Sequence, residues 1–371
     1  MTKTLQKNPL TEIIKLGQSI WYDGLISRQE FERMIREDGL RGATTNPVIF
    51  EKALASGNID GKVNELGKSL SDEEIYQELA IEAVREVADV FLPVYRRTSG
   101  YDGYVSIEVS PLLAYDTERT LKEARELFQK VNRPNVMIKI PATAAGIPAI
   151  ETAISEGINV NITLIFSVSR YREVMEAYLS GLERRNEAGK SMQEVASVAS
   201  FFVSRVDTAV DKIIGEKIVL AKDLTQKYFF GALLGKAAVA NSKVAYAEFE
   251  ELFASERFRA LKSEGAQAQR PLWASTGTKN PAYHDVLYVE SLIGPNTVNT
   301  IPPPTLDAFR DHGKVSETLT EGLDEAKKML EDLAFAGIAL SAVTEELEKA
   351  GVELFNEAYI KIIKRIKEKR A

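Results

Sequence analysis

A chain of 371 residues with 47 Lys plus Arg against 54 Asp plus Glu carries a formal net charge of −7, which argues against a binder of nucleic-acid backbones. With no Cys and only His284 and His312, it cannot build a disulfide framework, a thiolate nucleophile, a Cys-ligated zinc or a three-His metal centre. Catalysis therefore falls to Lys, Asp, Glu, Ser, Thr or Tyr, unless one of the two histidines is recruited.

The length suits two or three domains, or one α/β barrel with insertions. Residues 1–10 hold lysines with no apolar run behind them, and nowhere do about 18 uncharged apolar residues follow one another, so a cytoplasmic chain without membrane contact is expected. In chain order, short apolar or β-branched runs at 19–23, 40–45, 104–109, 136–141, 158–167, 198–203, 271–276 and 297–302 each precede a stretch with helical spacing. That is the alternation of parallel βα units, and eight is the number that closes a (β/α)8 TIM barrel.

Residues 72–97 set Ile75, Leu79, Val84, Val87, Val90, Phe91 and Val94 on one face behind Ser71 and Glu74 in capping-box spacing. Residues 116–130, 169–185, 207–228 and 241–258 carry the same amphipathic pattern. The polar stretch at 56–71 and everything beyond Pro302-Pro303-Pro304 exceed a minimal barrel. The prolines predict a stiff extended exit from the eighth strand. The residues after Thr305 predict a wholly helical extension whose apolar side chains, Leu354 and Phe355 among them, pack on the barrel's outside. The expected organisation is a barrel over 1–305 with a helical C-terminal extension over 306–371 in the same domain.

Alternate residues of a barrel strand face the lumen and the surrounding helices. In the run 136–140, Val136, Ile138 and Ile140 take the helical side and send Lys139 inward. The same parity turns Ser106 and Glu108 inward in the third run and Asn161 and Thr163 in the fifth, with Asp23 at the end of the first. All stand near C-terminal strand ends, where barrel active sites are built.

A lumen lysine surrounded by Trp21, Met137 and Phe202 is poorly solvated as an ammonium, which favours the free amine as a nucleophile towards a carbonyl. Schiff-base chemistry follows, with Glu108 and Thr163 placed to relay a water and Asp23 to take a hydroxyl proton as a carbon–carbon bond breaks. The plainer reading is a buried Lys139–Glu108 ion pair that only fills the barrel.

A second constellation points to an anion: Arg205 follows the sixth run, and the seventh ends in Ser275-Thr276-Gly277-Thr278-Lys279, a small-residue turn with hydroxyls and a cation. Thr44-Thr45-Asn46-Pro47 reads as a turn opening a helix. The cationic tail from Lys361 to Arg370 complements the C-terminal dipole of a closing helix.

From Leu16 to Thr305 the sequence resembles the transaldolases of the longer bacterial type, through Gly42-Ala43-Thr44-Thr45-Asn46-Pro47, Val105-Ser106-Ile107-Glu108-Val109, Met137-Ile138-Lys139-Ile140-Pro141-Ala142-Thr143, the segment 157–164, and Ala199-Ser200-Phe201-Phe202-Val203-Ser204-Arg205. The resemblance implies transfer of a dihydroxyacetone unit between sugar phosphates in the non-oxidative pentose phosphate pathway, with no metal or organic cofactor. By motif, Lys139 would form the Schiff base, Glu108 and Thr163 would hold the catalytic water, and Asp23 would be the acid/base. Asn46 and Asn161 would bind donor hydroxyls or the intermediate, Ser200 and Phe202 would line the pocket, and Arg205 would bind phosphate. Shorter members carry an arginine soon after the seventh-strand serine; here Lys279 follows Ser275 and would stand in for it.

Two rivals stay open: an aldolase that releases free dihydroxyacetone or a related small ketone on the same lysine, and a barrel that has lost turnover and serves as a scaffold. Small-molecule sugar phosphates are the expected partners, without nucleic acid or membrane, and a homo-oligomer is left open.

Overall fold

The structure, a computed structural model, describes residues 8–55 and 60–370. The opening read at 1–10 therefore lies, over residues 1–7, outside the described residues, as does the 56–59 part of the polar stretch. Eight parallel strands, β1 (Gln18–Asp23), β2 (Gly42–Thr44), β3 (Tyr104–Glu108), β4 (Val136–Pro141), β5 (Val160–Ile165), β6 (Ser197–Phe202), β7 (Arg270–Ala274) and β8 (Thr297–Ile301), close into a barrel in chain order. Each of the eight runs read from the sequence becomes one of them, and β8 returns to β1 with Trp21 opposite Thr300.

The helices are α1 (Pro9–Lys15), α2 (Arg28–Glu37), α3 (Pro47–Ala55), α4 (Asp60–Leu66), α5 (Asp72–Arg97), α6 (Thr117–Val131), α7 (Gly146–Glu156), α8 (Val168–Glu187), α9 (Ser204–Leu220), α10 (Leu224–Leu233), α11 (Ala237–Phe253), α12 (Glu256–Ser263), α13 (Leu287–Ser291), α14 (Pro303–His312), α15 (Leu323–Phe335) and α16 (Leu340–Arg370). At α5, Ser71 and Glu74 form the reciprocal capping box that their spacing predicts. No helix among the described residues is long and apolar enough to cross a membrane.

The N-terminal end of the lumen is closed by charge. Arg270, 5% exposed at its side chain, donates to Asp102 Oδ1 at 3.0 Å and to Ser19 Oγ at 2.9 Å, and Asp102 also accepts from Arg41 at 3.0 Å. A buried ion pair survives desolvation only when its remaining hydrogen-bonding capacity is met, as it is here by the serine and the second arginine. Above it Trp21 fills the lumen; a Cβ at Gly42 would stand 2.7 Å from the indole, so this strand position accepts no side chain. With the lower end filled, polar side chains are left to the C-terminal mouth.

Several local expectations change. The helix read over 207–228 is two, α9 and α10, because Asp223 caps a new start by accepting from Gln226 N at 2.8 Å. The one read over 241–258 divides likewise at Ser255, which caps α12. The prolines do not make an extended exit: Pro302 is the N-cap of α14, and Pro303 and Pro304 occupy its first turn, where a missing N–H costs nothing. Nor is the extension wholly helical, since 313–322 is irregular before Gly322, at φ 67°, opens α15. The line drawn at 305/306 falls inside α14.

Helix α16 also departs from the outside position expected for it. It packs on α3, α4, α5 and α9 and reaches the end of β5, so it lies across the C-terminal mouth. Arg365 pairs with Glu51 at 3.3 Å and Arg370 with Asp72 at 3.1 Å, tying its basic end to α3 and α5. At its middle, a Cβ on Gly351 would stand 2.8 Å from Leu164 Cδ2. Leu164 itself has a left-handed φ of 60° at a bulge where the β5–β6 register shifts between Ile162 and Ile165.

Candidate active site

The strand register assembles the centre. Glu108 of β3 stands opposite Lys139 of β4, which stands opposite Asn161 of β5, so the three share one level of the lumen, with Thr163 two residues higher. Lys139 is 5% exposed; its Nζ lies 3.4 Å from Glu108 Oε2 and donates to the Thr45 carbonyl at 3.3 Å. Burial pushes the Glu108 carboxyl up to about 7, with Lys139 pulling the other way. Among the described residues, Thr163 Oγ1 is buried without a hydrogen-bond partner and Glu108 Oε2 has Lys139 alone beside it. Two under-satisfied oxygens near one amine are suited to holding a small polar species.

Asp23 stands at the end of β1, where Thr44 Oγ1 donates to its Oδ1 at 3.0 Å and in turn meets Thr300 Oγ1 at 2.6 Å. Burial raises its carboxyl above the usual range, opposed by Lys139, the Thr44 hydrogen bond, Lys279 and Lys52. Asp23, Lys139 and Thr163 line one cavity of about 580 Å³, together with Asn46, Ser200, Phe202, Arg205, Ser275 and Lys279. That volume is in the range of small-molecule sites, about 300–1,000 Å³. Asn46 accepts from Ile49 N at 3.1 Å through its Oδ1, which opens α3 and leaves its amide nitrogen unengaged among the described residues.

Two of the residues singled out in the sequence stand elsewhere. Asn161 does not line this cavity: its Nδ2 donates to Ser106 Oγ at 2.9 Å and its Oδ1 accepts from Ser200 Oγ at 2.7 Å, so both ends of the amide are engaged in the floor. Glu108 lines a second cavity of about 290 Å³, together with Tyr76, Glu123 and Tyr359.

Besides Lys139, three cations line the main cavity. Arg205 lies over the Phe202 ring at 5.4 Å, and no carboxylate among the described residues is within ion-pair distance of it. Burial lowers its affinity for its proton, as expected for an uncompensated guanidinium. It belongs to the first turn of α9, whose N-cap, Val203, supplies no side-chain acceptor. Ser275, at a left-handed φ of 57°, meets Ser204 Oγ at 2.9 Å and accepts from Ser204 N at 3.0 Å, docking the β7 loop on that turn. Lys279 and Lys52 complete a set of three cations lining one cavity, an arrangement suited to a phosphate.

Lys52, Thr44, Thr300, Leu354 and Phe355 line the cavity without having been singled out as site residues. Lys52 was open to inference, being on the helix that Asn46-Pro47 begins. Phe355 was not, since an apolar residue on an amphipathic helix signals packing; here its ring comes within 5.6 Å of Lys139 Nζ and covers the amine.

A profile of the Transaldolase/Fructose-6-phosphate aldolase family matches residues 20–366. Among similar proteins, the transaldolase of Trichodesmium erythraeum is 46% identical over 98% of this chain and 97% of its own. That of Thermobifida fusca is 46% identical over 98% of this chain and 99% of its own, and a protein named transaldolase 2 from Nostoc is 44% identical over 95% of each.

Proposed function

The chain belongs to the transaldolase/fructose-6-phosphate aldolase family, and from that premise we propose that it transfers a dihydroxyacetone unit from a ketose phosphate to an aldose phosphate through a Schiff base on Lys139. Sedoheptulose 7-phosphate or fructose 6-phosphate is the donor, and glyceraldehyde 3-phosphate or erythrose 4-phosphate the acceptor. The reaction belongs to sugar-phosphate metabolism, for which the cytoplasm is the proposed compartment.

Lys139 Nζ adds to the donor's C2 carbonyl, passing a proton by way of Glu108 and the water held with Thr163, and the carbinolamine loses its hydroxyl as water to give an iminium. Asp23 takes the C4 hydroxyl proton as the C3–C4 bond breaks; the electron pair flows to the iminium nitrogen, leaving an enamine, and the aldose phosphate departs. The enamine carbon then attacks the acceptor's aldehyde carbon, Asp23 returns the proton to the new alkoxide, and water hydrolyses the iminium. The terminal phosphate of either sugar sits with Arg205, Lys279 and Lys52, which line the same cavity as Lys139.

The observation that carries this reading is Lys139 itself, nearly buried, 3.4 Å from a carboxylate raised to about 7 and open on one side to a cavity lined by three cations. An ion pair that only filled the barrel would leave neither the cavity nor the unpartnered Thr163 hydroxyl that lines it. The Phe355 cover favours transfer over release of free dihydroxyacetone, because an enamine survives only where water is kept from its carbon. Borohydride added with fructose 6-phosphate should trap an adduct on Lys139. The protein should convert fructose 6-phosphate and erythrose 4-phosphate without added metal. Adduct on another residue, or cleavage equally fast without an acceptor, would overturn the assignment.

A further inference from the structure

The chain has two histidines, and the fold brings them together. His284 lies in the loop after β7 and His312 is the final residue of α14, with their rings 5.5 Å apart. Asp285 stands between them: its Oδ1 is 3.0 Å from His312 Nε2 and 3.8 Å from His284 Nδ1. On the far side of the His312 ring, Asp311 Oδ2 is 3.2 Å from Nδ1. We propose that His284, Asp285 and His312 form a surface site for a transition metal of the zinc class, with Asp311 as the residue that orients His312.

Two imidazoles and one carboxylate are a recognised zinc donor set, leaving a fourth position to water. Donors at zinc-bond lengths of about 2.0–2.1 Å stand about 3.3 Å apart in a tetrahedral cage. The separations of 3.0 and 3.8 Å bracket that value, and all the donor atoms lie within 4.8 Å of one another. Because the three side chains are exposed, they can close the remaining distance by rotation without disturbing the core.

Asp311 supplies what an incidental histidine pair would lack. Asp285 and Asp311 accept from the two nitrogens of the His312 ring, fixing its orientation and making it hold its proton more tightly than a free imidazole; a metal entering at Nε2 displaces that proton while Asp311 stays on Nδ1–H. The site lies at the C-terminal end of α14, where the helix carbonyls favour a cation. A three-His centre is impossible in this chain; a carboxylate in place of the third imidazole removes the obstacle.

None of the three residues lines the cavity that holds Lys139, so the metal would take no part in the transfer. It would brace the loop instead. Thr278 Oγ1 donates to the carbonyls of both His284 and Asp285 at 3.0 Å, and the next residue is Lys279.

The test uses the full chain, stripped with a chelator and titrated with Zn²⁺ at about pH 8, above the range of an unperturbed imidazole, because Asp285 and Asp311 raise His312. With two histidines, imidazole ¹H–¹⁵N spectra hold two ring systems, each readable separately. Both should shift together and saturate at one Zn²⁺ per chain, with H284Q and H312Q abolishing saturation and D311N weakening binding by about 10–100-fold. Transaldolase turnover of all three variants in the absence of zinc should equal that of the parent. Rings that do not move, movement of one ring alone, or zinc uptake unchanged in the H284Q/H312Q double variant would each overturn the proposal.

Discussion

Replacing Glu108 by Gln keeps the shape of the centre and removes its titratable carboxylate. In the parent protein that group is raised to about 7 by burial, and under the proposed mechanism its ionised form takes the proton that leaves the attacking amine. The sign follows: ionised Glu108 grows with pH, so the rate of adduct formation should climb through the acid range and level off above about 7. From that value the ionised fraction is about one in a hundred at about pH 5, one in eleven at about pH 6 and one half at about pH 7. The first-turnover rate should therefore rise about fifty-fold between the ends of that interval. In E108Q the limb should vanish, and the plateau should drop by about 10²–10⁴-fold, the usual worth of a positioned general base. Rapid mixing with fructose 6-phosphate and a borohydride quench measures the step directly. If E108Q retained the limb with an unchanged midpoint, the base would be another group, and Asp23, raised for the same reason, would be the one to examine.

Asp23→Asn should leave adduct formation intact and block the carbon–carbon cleavage, so that mass spectrometry of the trapped protein finds the intact six-carbon donor instead of the three-carbon fragment. Arg205→Ala should weaken a phosphorylated acceptor by about 2–5 kcal/mol in kcat/KM while sparing an unphosphorylated aldehyde; equal loss with both would remove its phosphate role. Phe355→Ala should uncover Lys139 and raise the release of free dihydroxyacetone from fructose 6-phosphate without an acceptor, measured against the rate of transfer. Gly42→Ala forces a methyl to within 2.7 Å of both the Trp21 ring and the Tyr104 carbonyl, and should cost about 1–3 kcal/mol in urea unfolding.

The barrel was legible because its two signals are local. Period-two alternation in 136–140 places Lys139 on the opposite side from Val136, Ile138 and Ile140, and no distant contact is needed to read it. Helix ends were harder: Asp223 and Ser255 break long amphipathic patterns because a capping side chain outweighs continued periodicity, and either residue would also be tolerated on a solvated helix face. Asn161 shows a different limit. Parity turns it into the lumen, but only the fold reveals that Ser106 and Ser200 take up its amide. The cover over Lys139 was beyond local reading altogether, since Phe355 and Gly351 have the pattern of any packing helix.

The position of α16 also orders the birth of the protein on the ribosome. Strands β1 to β8 are synthesised first, so Lys139 can be seated in a closed barrel while the segment that shelters it is still untranslated. A nascent chain at that stage would have the Lys139 amine but no ring above it, and any sugar it captured would face open water. Competence to hand the three-carbon fragment onward would thus arrive late, when Phe355 emerges and Gly351 settles on Leu164.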